Sequence, residues 1–292
     1  MSEIAQQGEA DTGSAEAQDG RAAPSTDSFI EFDGVSMRYS TRQGSTLALS
    51  EIDLTVGRQE FVTLVGRSGC GKTTLLRILA GLIRPTEGEV RVGGRPLWDG
   101  GKRDDEALSM LGLVFQDANL FPWYSVQENI ALPLRMRGID KATRLERAHE
   151  LSELVGLGGF EEAYPRELSG GMRQRVAIAR ALSYEPQILL MDEPFGALDA
   201  MTRDKMNLEI QRIAAATKAT VVFVTHSITE AVFLADRVVL LSAHPGRLRS
   251  VTPVHFERPR SSLDLQTGVE FQEIAKELRH QLDADEDEDK SS

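Results

Sequence analysis

The sequence predicts an α/β protein built on a mainly parallel β-sheet with helices on both faces. Three observations predict it. Apolar runs of strand length alternate with helical stretches along most of the chain, the pattern of strand–helix–strand units. A glycine-rich turn follows directly on one such strand and opens a helix. A second apolar strand ends in two consecutive carboxylates, Asp192 and Glu193. The 292 residues suffice for one large domain or two modest ones.

Residues 1–28 carry a net charge of −5 and few large apolar side chains, so they are expected to be a disordered acidic tail. Ordered sequence is expected from Phe29. Phe29 to Phe32, Val35 to Tyr39 and Leu47 to Val56 read as extended, with Gly57 breaking the last. Glu60 to Val65 is a short apolar strand leading into the glycine turn. From Lys72 to Leu82, Leu75, Leu76, Leu79 and Leu82 recur at helical spacing, bounded by Gly81 and Pro85. Glu89 to Val92 and Leu111 to Phe115 read as strands. From Val126 to Gly159 the pattern turns helical, with Leu145, Ala148, Leu151, Leu154 and Val155 on one face. This block, together with the helix expected from Arg173 to Ser183, predicts a helical subdomain over about residues 117–182 inserted in the sheet domain of residues 29–255. Strands are expected at Ile188 to Met191, Thr220 to Thr225 and Arg237 to Leu241, with helices at Thr202 to Ala216 and Thr229 to Leu234. Regularity fades after Pro253. Phe271, Ile274, Ala275, Leu278 and Leu282 then form one amphipathic stripe, so residues 256–282 are expected to be a helical extension. Residues 283–292, again at −5, are expected to be a disordered acidic tail.

Composition narrows the class. Hydrophobic residues make up 41% and charged residues 27%, which is ordinary for a soluble globular chain and argues against collagen-like or disulfide-scaffold designs. No apolar run approaches the ~18–20 residues of a membrane span. The first twenty residues have no apolar stretch of signal-peptide type. The single cysteine, Cys70, excludes an internal disulfide and disfavours a multi-cysteine metal site, in keeping with a reducing compartment. Of the net charge of −12 the two tails carry all but −2, so the body offers no electrostatic argument for a nucleic-acid partner.

The glycine turn is Gly66-Arg67-Ser68-Gly69-Cys70-Gly71-Lys72-Thr73, followed by Thr74, which fits G-x-x-x-x-G-K-[ST] between a strand and a helix. Its glycines let the backbone curl so that several N–H groups point inward, and the helix start adds partial positive charge. Lys72 is expected to reach the β- and γ-phosphates of a nucleotide and the Thr73 hydroxyl to ligate Mg²⁺. Cys70 is expected to offer its backbone rather than its thiol. Asp192, at the tip of the apolar strand Ile188 to Met191, suits Mg²⁺ held through water. Glu193 can polarise a water for in-line attack on the γ-phosphorus. These residues point to a nucleotide hydrolase.

Leu168-Ser169-Gly170-Gly171-Met172 offers a further anion site, with Ser169 as cap and two glycines exposing N–H groups. It is equally the start of an ordinary capped helix. With one triphosphate already provided for, the economical reading is that it serves a nucleotide held by a second copy of the chain.

With these motifs in order from about Phe29 to Leu241, the chain resembles the ATP-binding subunit of an ABC transporter. The glycine loop resembles Walker A, Ile188 to Glu193 Walker B, and Leu168 to Met172 the ABC signature. Gln116 lies where the Q-loop glutamine is found. Ala197-Leu198-Asp199 resembles the D-loop, and His226 the switch histidine. Tyr39 resembles the A-loop aromatic that stacks on adenine, the lesser alternative being a core tyrosine. The resemblance implies a P-loop cassette with an antiparallel β subdomain beside the parallel sheet. It also implies a homodimer with two ATP molecules between the subunits. Each site would join Walker A, Asp192, Glu193, Gln116 and His226 of one chain to Ser169 and Gly171 of the other. His226 would contact the γ-phosphate, Gln116 would share the metal, and Asp199 would couple the sites. Taken alone, a histidine beside an apolar strand is more often structural. Two positions depart from the commonest pattern: Met172 stands where glutamine is frequent, and Ser227 where an acid is common.

No membrane span is fused to the cassette, so the resemblance implies a separate pore of two permease subunits. It further implies a periplasmic or extracellular solute-binding protein and a place on the cytoplasmic face of the membrane. Phe121, Pro122 and Trp123 would grip the permease, unless Trp123 is simply core. Leu120 to Leu132, His244 to Leu248 and Phe256 to Arg260 resemble the nitrate/sulfonate/taurine importer branch. The stretch after Ala243 leaves little room for a C-terminal regulatory barrel. Alternatives are an importer of another solute, such as a thiamine precursor or a phosphonate, and a non-transport ABC ATPase. The interval from Thr73 to Leu168 has no sustained heptads for the coiled coil of a repair ATPase. A kinase or GTPase would leave Ser169 to Gly171 and His226 without a role.

Overall fold

The computed structural model describes residues 28–41, 44–258, 260 and 262–289. The expected N-terminal tail therefore lies, up to residue 27, outside the described residues, as does the end of the chain from Lys290.

Strands β1 (Ser28–Thr41) and β2 (Gly44–Gly57) pair antiparallel, with Met37 opposite Leu49 and Tyr39 opposite Thr46. β3 (Phe61–Gly66) runs into the glycine turn and α1 (Lys72–Leu79). β4 (Glu87–Val92) lies on the other side of β1, followed by the short β5 (Arg95–Pro96), β6 (Trp98–Asp99) and β7 (Lys102–Arg103). Then come α2 (Asp105–Ser109) and β8 (Leu111–Val114). The helical block is α3 (Val126–Met136), α4 (Lys141–Leu154) and α5 (Gly170–Leu182). β9 (Ile188–Asp192), α6 (Ala200–Thr217), β10 (Thr220–Val224), α7 (Ile228–Leu234) and β11 (Arg237–Leu241) restore the alternation. β12 (Leu248–Pro253) and α8 (Val269–Asp289) complete the described chain.

The main sheet has the order β12-β11-β3-β10-β9-β8, parallel throughout except for the antiparallel edge strand β12. Its central strands β3, β9, β10 and β11 are buried on both faces, and alternate residues feed two cores. Val62, Leu64, Leu190, Val222 and Val239 face α1 and the antiparallel sheet β2-β1-β4-β5. Phe61, Met191, Val221, Phe223 and Leu240 face the helices α5 to α8. The mainly parallel sheet, the separate antiparallel sheet and the helical block agree with the expected α/β architecture.

The sequence reading and the structure differ at several helix ends and at the sheet edge, and α8 begins only at Val269 within the extension expected over 256–282. Helix α1 stops at Leu79 because Ala80 caps it and Gly81 takes a left-handed φ of 67°. Helix α5 already starts at Gly170, with the two glycines inside its first turn. β12 was not expected; its residues are all half-buried or exposed, so the edge strand carries no alternation to read. Helix α8 runs on to Asp289, so the segment from Asp283 expected to be a disordered tail is helical over its described part. Adding residues to a helix already nucleated by the packed Phe271, Ala275 and Leu278 is far cheaper than starting one, and Ala284, Glu286 and Glu288 tolerate it.

Parallel register gathers the carboxyl ends of the strands. Leu241 pairs with Gly66, and Val224 with both Leu64 and Asp192. Ligands of open parallel sheets bind beyond this edge.

Candidate active site

The glycine turn leaves β3 at this edge and is held from below. Lys72 is buried, and its Nζ donates to the carbonyls of Gly66 at 2.7 Å and Arg67 at 3.0 Å. The ammonium thus curls the loop around itself. Gly69 and Gly71 adopt φ of 86° and 92°, open to glycine alone at little cost. A Cβ on Gly71 would also lie 2.5 Å from Leu49 Cδ2 and 3.0 Å from the Ala48 carbonyl. Arg67, Ser68 and Gly69 form the exposed lip. The Cys70 thiol points inward and is fully buried, 3.8 Å from Lys72 Nζ; burial raises its pKa, and Lys72 offsets part of that rise.

Thr73 and Thr74 open α1, and the Thr73 hydroxyl donates to Asp192 Oδ1 at 2.9 Å. Two oxygen donors from distant segments thereby share one point at the loop's edge. Such a hard oxygen set suits Mg²⁺, and a phosphate-facing loop lies beside it. Burial raises the Asp192 pKa, while the bond from Thr73 and the charges of Arg77 and Lys72 lower it.

Glu193 follows with a left-handed φ of 44°, its N–H bonded to the Val224 carbonyl at 3.0 Å. Its Oε2 meets His226 Nδ1 at 3.0 Å. A Cβ placed on Gly196 would lie 3.5 Å from Gln116 Nε2 and 3.8 Å from Glu193 Oε2. Gln116, Glu193 and His226 therefore meet around Gly196.

The other expected residues form a second grouping. Ser169 caps α5, accepting from Met172 N at 3.2 Å. A Cβ on Gly170 would stand 3.3 Å from Leu198 Cδ2, and one on Gly171 would stand 2.8 Å from Thr202 Cγ2. Asp199 caps α6, accepting from Thr202 N at 3.0 Å and Thr202 Oγ1 at 2.7 Å. Ser169 to Gly171 and Asp199 are thus neighbours, and no contact described for them reaches the glycine loop. Tyr39 is half-exposed on β1, near the Met37–Leu49 pair whose Leu49 packs on Gly71. Trp123 is 65% exposed, with Phe121 and Tyr124 beside it at ring-centroid distances of 5.6 Å and 6.2 Å, so the tryptophan is not core.

Two further residues had no supporting role in the sequence reading, although Glu230-Ala231 fits the family pattern after His226 and Gly246 lies in the stretch from His244 to Leu248. Gly246 wedges under the glycine loop: its N–H bonds the Ala48 carbonyl at 3.0 Å, and a Cβ there would lie 2.1 Å from the Cys70 carbonyl. Glu230 lies buried behind His226 and accepts from the Thr225 hydroxyl.

The ABC transporter family model matches residues 49–196. An uncharacterized ABC transporter ATP-binding protein of Methanocaldococcus jannaschii is 49% identical over 79% of this chain and 82% of its own length. The aliphatic sulfonates import ATP-binding protein SsuB of Bacillus cereus is 42% identical over 87% of this chain and 96% of its own. Among solved structures, the dimeric post-hydrolysis state of an ATP-binding cassette bound to ADP and Pi superposes with a TM-score of 0.68. It shares 33% identity, covering 78% of this chain and all of that one.

Proposed function

The chain belongs to the ABC transporter family, and we propose that it binds and hydrolyses ATP to power import of a small anionic solute through separate membrane permease subunits. Nitrate, taurine or an alkanesulfonate is the solute class. That the chain is an ATP-hydrolysing transporter ATPase follows from the family; the roles of individual residues and the import branch are our reading.

The observation that carries the reading is the junction at the strand ends, where Thr73 bonds Asp192 and Glu193 bonds His226 on either side of one strand tip. The loop from Gly66 to Thr74 would cradle the phosphates through backbone N–H groups and the positive start of α1. Lys72 would exchange its carbonyl partners for β- and γ-phosphate oxygens. Thr73, Asp192 and Gln116 would hold Mg²⁺, which when bound neutralises phosphate charge. Glu193 would take the proton of the attacking water, and His226, fixed to the same carboxylate, would orient that water against the γ-phosphate. Tyr39 would stack on adenine. Ser169, Gly170 and Gly171 would close on the nucleotide of a second subunit, and the neighbouring Asp199 would link the two sites. The dimeric cassettes among the structural neighbours support this pairing.

The likeness to a named sulfonate importer over most of the chain supports the branch. In this reading a homodimer sits on the cytoplasmic face of the membrane against two permease subunits, held by Phe121, Pro122 and Trp123. A periplasmic or extracellular solute-binding protein delivers the solute, and no nucleic acid takes part. No helix among the described residues is long and apolar enough to cross a membrane, so the pore is assigned to other chains.

The test is Glu193→Gln. It should keep ATP affinity within about twofold while turnover falls ~10²-fold or more, as expected when a group acting only in the transition state is removed. Nucleotide binding and phosphate release on the purified protein measure both, and undiminished hydrolysis would remove Glu193 from its role.

A further inference from the structure

Glu230 is the buried acid that the mechanism above leaves without a task. Thr225 and His226 leave the end of β10, and α7 begins at Ile228 with Ser227 as its cap, accepting from Glu230 N at 3.3 Å. The Glu230 side chain is turned back into the protein, and its Oε2 accepts from the Thr225 hydroxyl. Thr225 Oγ1 in turn accepts from Ser227 N at 3.0 Å. The turn that presents His226 to Glu193 is thus closed through Thr225 Oγ1, which takes the Ser227 N–H and gives its own proton to this carboxylate.

The opposite side of Glu230 faces α6. Its Oε1 is buried without a hydrogen-bond partner, and so are Arg203 Nε and Asn207 Oδ1 on that helix. Glu193, Arg203, Thr225, His226, Ser227 and Glu230 share one cavity of about 10 Å³, room for a single water. Buried polar atoms are seldom left unsatisfied, so a carboxylate, a guanidinium and a water-sized hole together suit one bridging water. Burial raises the Glu230 pKa, and Thr225, Arg203, His226 and Asn207 offset part of the rise. Arg203 also donates to the Leu198 carbonyl at 3.0 Å, immediately before Asp199.

We infer that Glu230 is a positioning residue for hydrolysis: bridged to Arg203 by one buried water, it locks the Thr225–Ser227 turn that aims His226 at Glu193, and ties that aim to α6 and Asp199. The inference rests on the proposed roles of Glu193 and His226. It places the connection between the switch histidine and the neighbouring half-site inside a single subunit, across the gap between α7 and α6.

The experiment compares full-length wild type with Glu230→Gln, Glu230→Ala and Thr225→Val. Two readouts are taken: kcat and KM for Mg-ATP, and the ¹⁵N resonance of His226 Nδ1 without nucleotide, assigned through His226→Ala. Glu230→Ala should lower kcat about tenfold or more with KM within about twofold, the split expected of lost positioning. Glu230→Gln should recover part of that loss, and the His226 resonance should move in every variant. Variants that melt earlier but keep wild-type kcat and the wild-type His226 resonance would reduce Glu230 to a packing residue and overturn the inference. Should Glu230→Ala not fold, Thr225→Val removes one hydroxyl from the same ring and gives the same two answers. If Glu193→Gln hydrolyses ATP normally, the functional reading fails, but the His226 resonance, read without ATP, still decides whether Glu230 positions the ring.

Discussion

Lys72 directs its ammonium at two carbonyls of the loop that carries it, so the loop's curl is built before any phosphate reaches it. Asp192 and Glu193 are adjacent in the chain yet differently employed: one bonds a threonine, the other a histidine. The left-handed backbone at Glu193 turns the second carboxylate away from the first. Glu230 differs again, because burial holds its carboxyl above its ordinary value of 4.5. The folded chain therefore keeps this proton after the unfolded chain has released it. Folding accordingly loses stability as pH rises from 4.5 through the raised midpoint, and this carboxyl contributes no pH dependence below that window. Urea midpoints of wild type relative to Glu230→Gln should fall across the window; a difference that stays flat with pH would contradict a buried ionisation here.

At the scale of elements, strand ends do the assembling. Gly66, Asp192 and Thr225 come from three parallel strands whose register brings their tips together. The turn after β11 then reaches across to support the loop, with Gly246 between Ala48 and Cys70. Gly246→Ala must move the Cys70 carbonyl, since its new carbon would start 2.1 Å from that oxygen. ATP affinity should fall about tenfold or more, in addition to the ~1–3 kcal/mol of folding stability that overpacking costs. Titration calorimetry beside a thermal melt separates the two, and unchanged affinity would show that the loop does not depend on this support. Here lies the limit of what the sequence could disclose. The glycine loop and the strand ending in Asp192 and Glu193 were legible because motif, strand and helix are contiguous. The supporting roles of Gly246 and Glu230 were not, because the Cys70 carbonyl and the Arg203 guanidinium that give them meaning arrive from distant segments. β12 escaped for a different reason: a half-buried edge strand has no strict alternation to display.

At the scale of the molecule, Ser169 to Gly171 and Asp199 lie together, while their described contacts do not reach the chain's own glycine loop. In the reading proposed above, the glycine loop of a second copy completes this half-site. ATPase activity per subunit should therefore rise with protein concentration and then level off, and Ser169→Arg should abolish it without weakening ATP binding to the monomer. A rate per subunit independent of dilution would contradict the composite site. The helical block carries a different surface, where Phe121, Trp123 and Tyr124 cluster with Trp123 largely uncovered. The other tryptophan, Trp98, keeps its indole nitrogen buried. The chain thus carries its own optical gauge: red-shifted emission, open to iodide quenching, should come mainly from Trp123. If the permease docks on the aromatic cluster as proposed, adding it should move that emission to the blue and shield it from the quencher, so engagement can be followed with no dye attached.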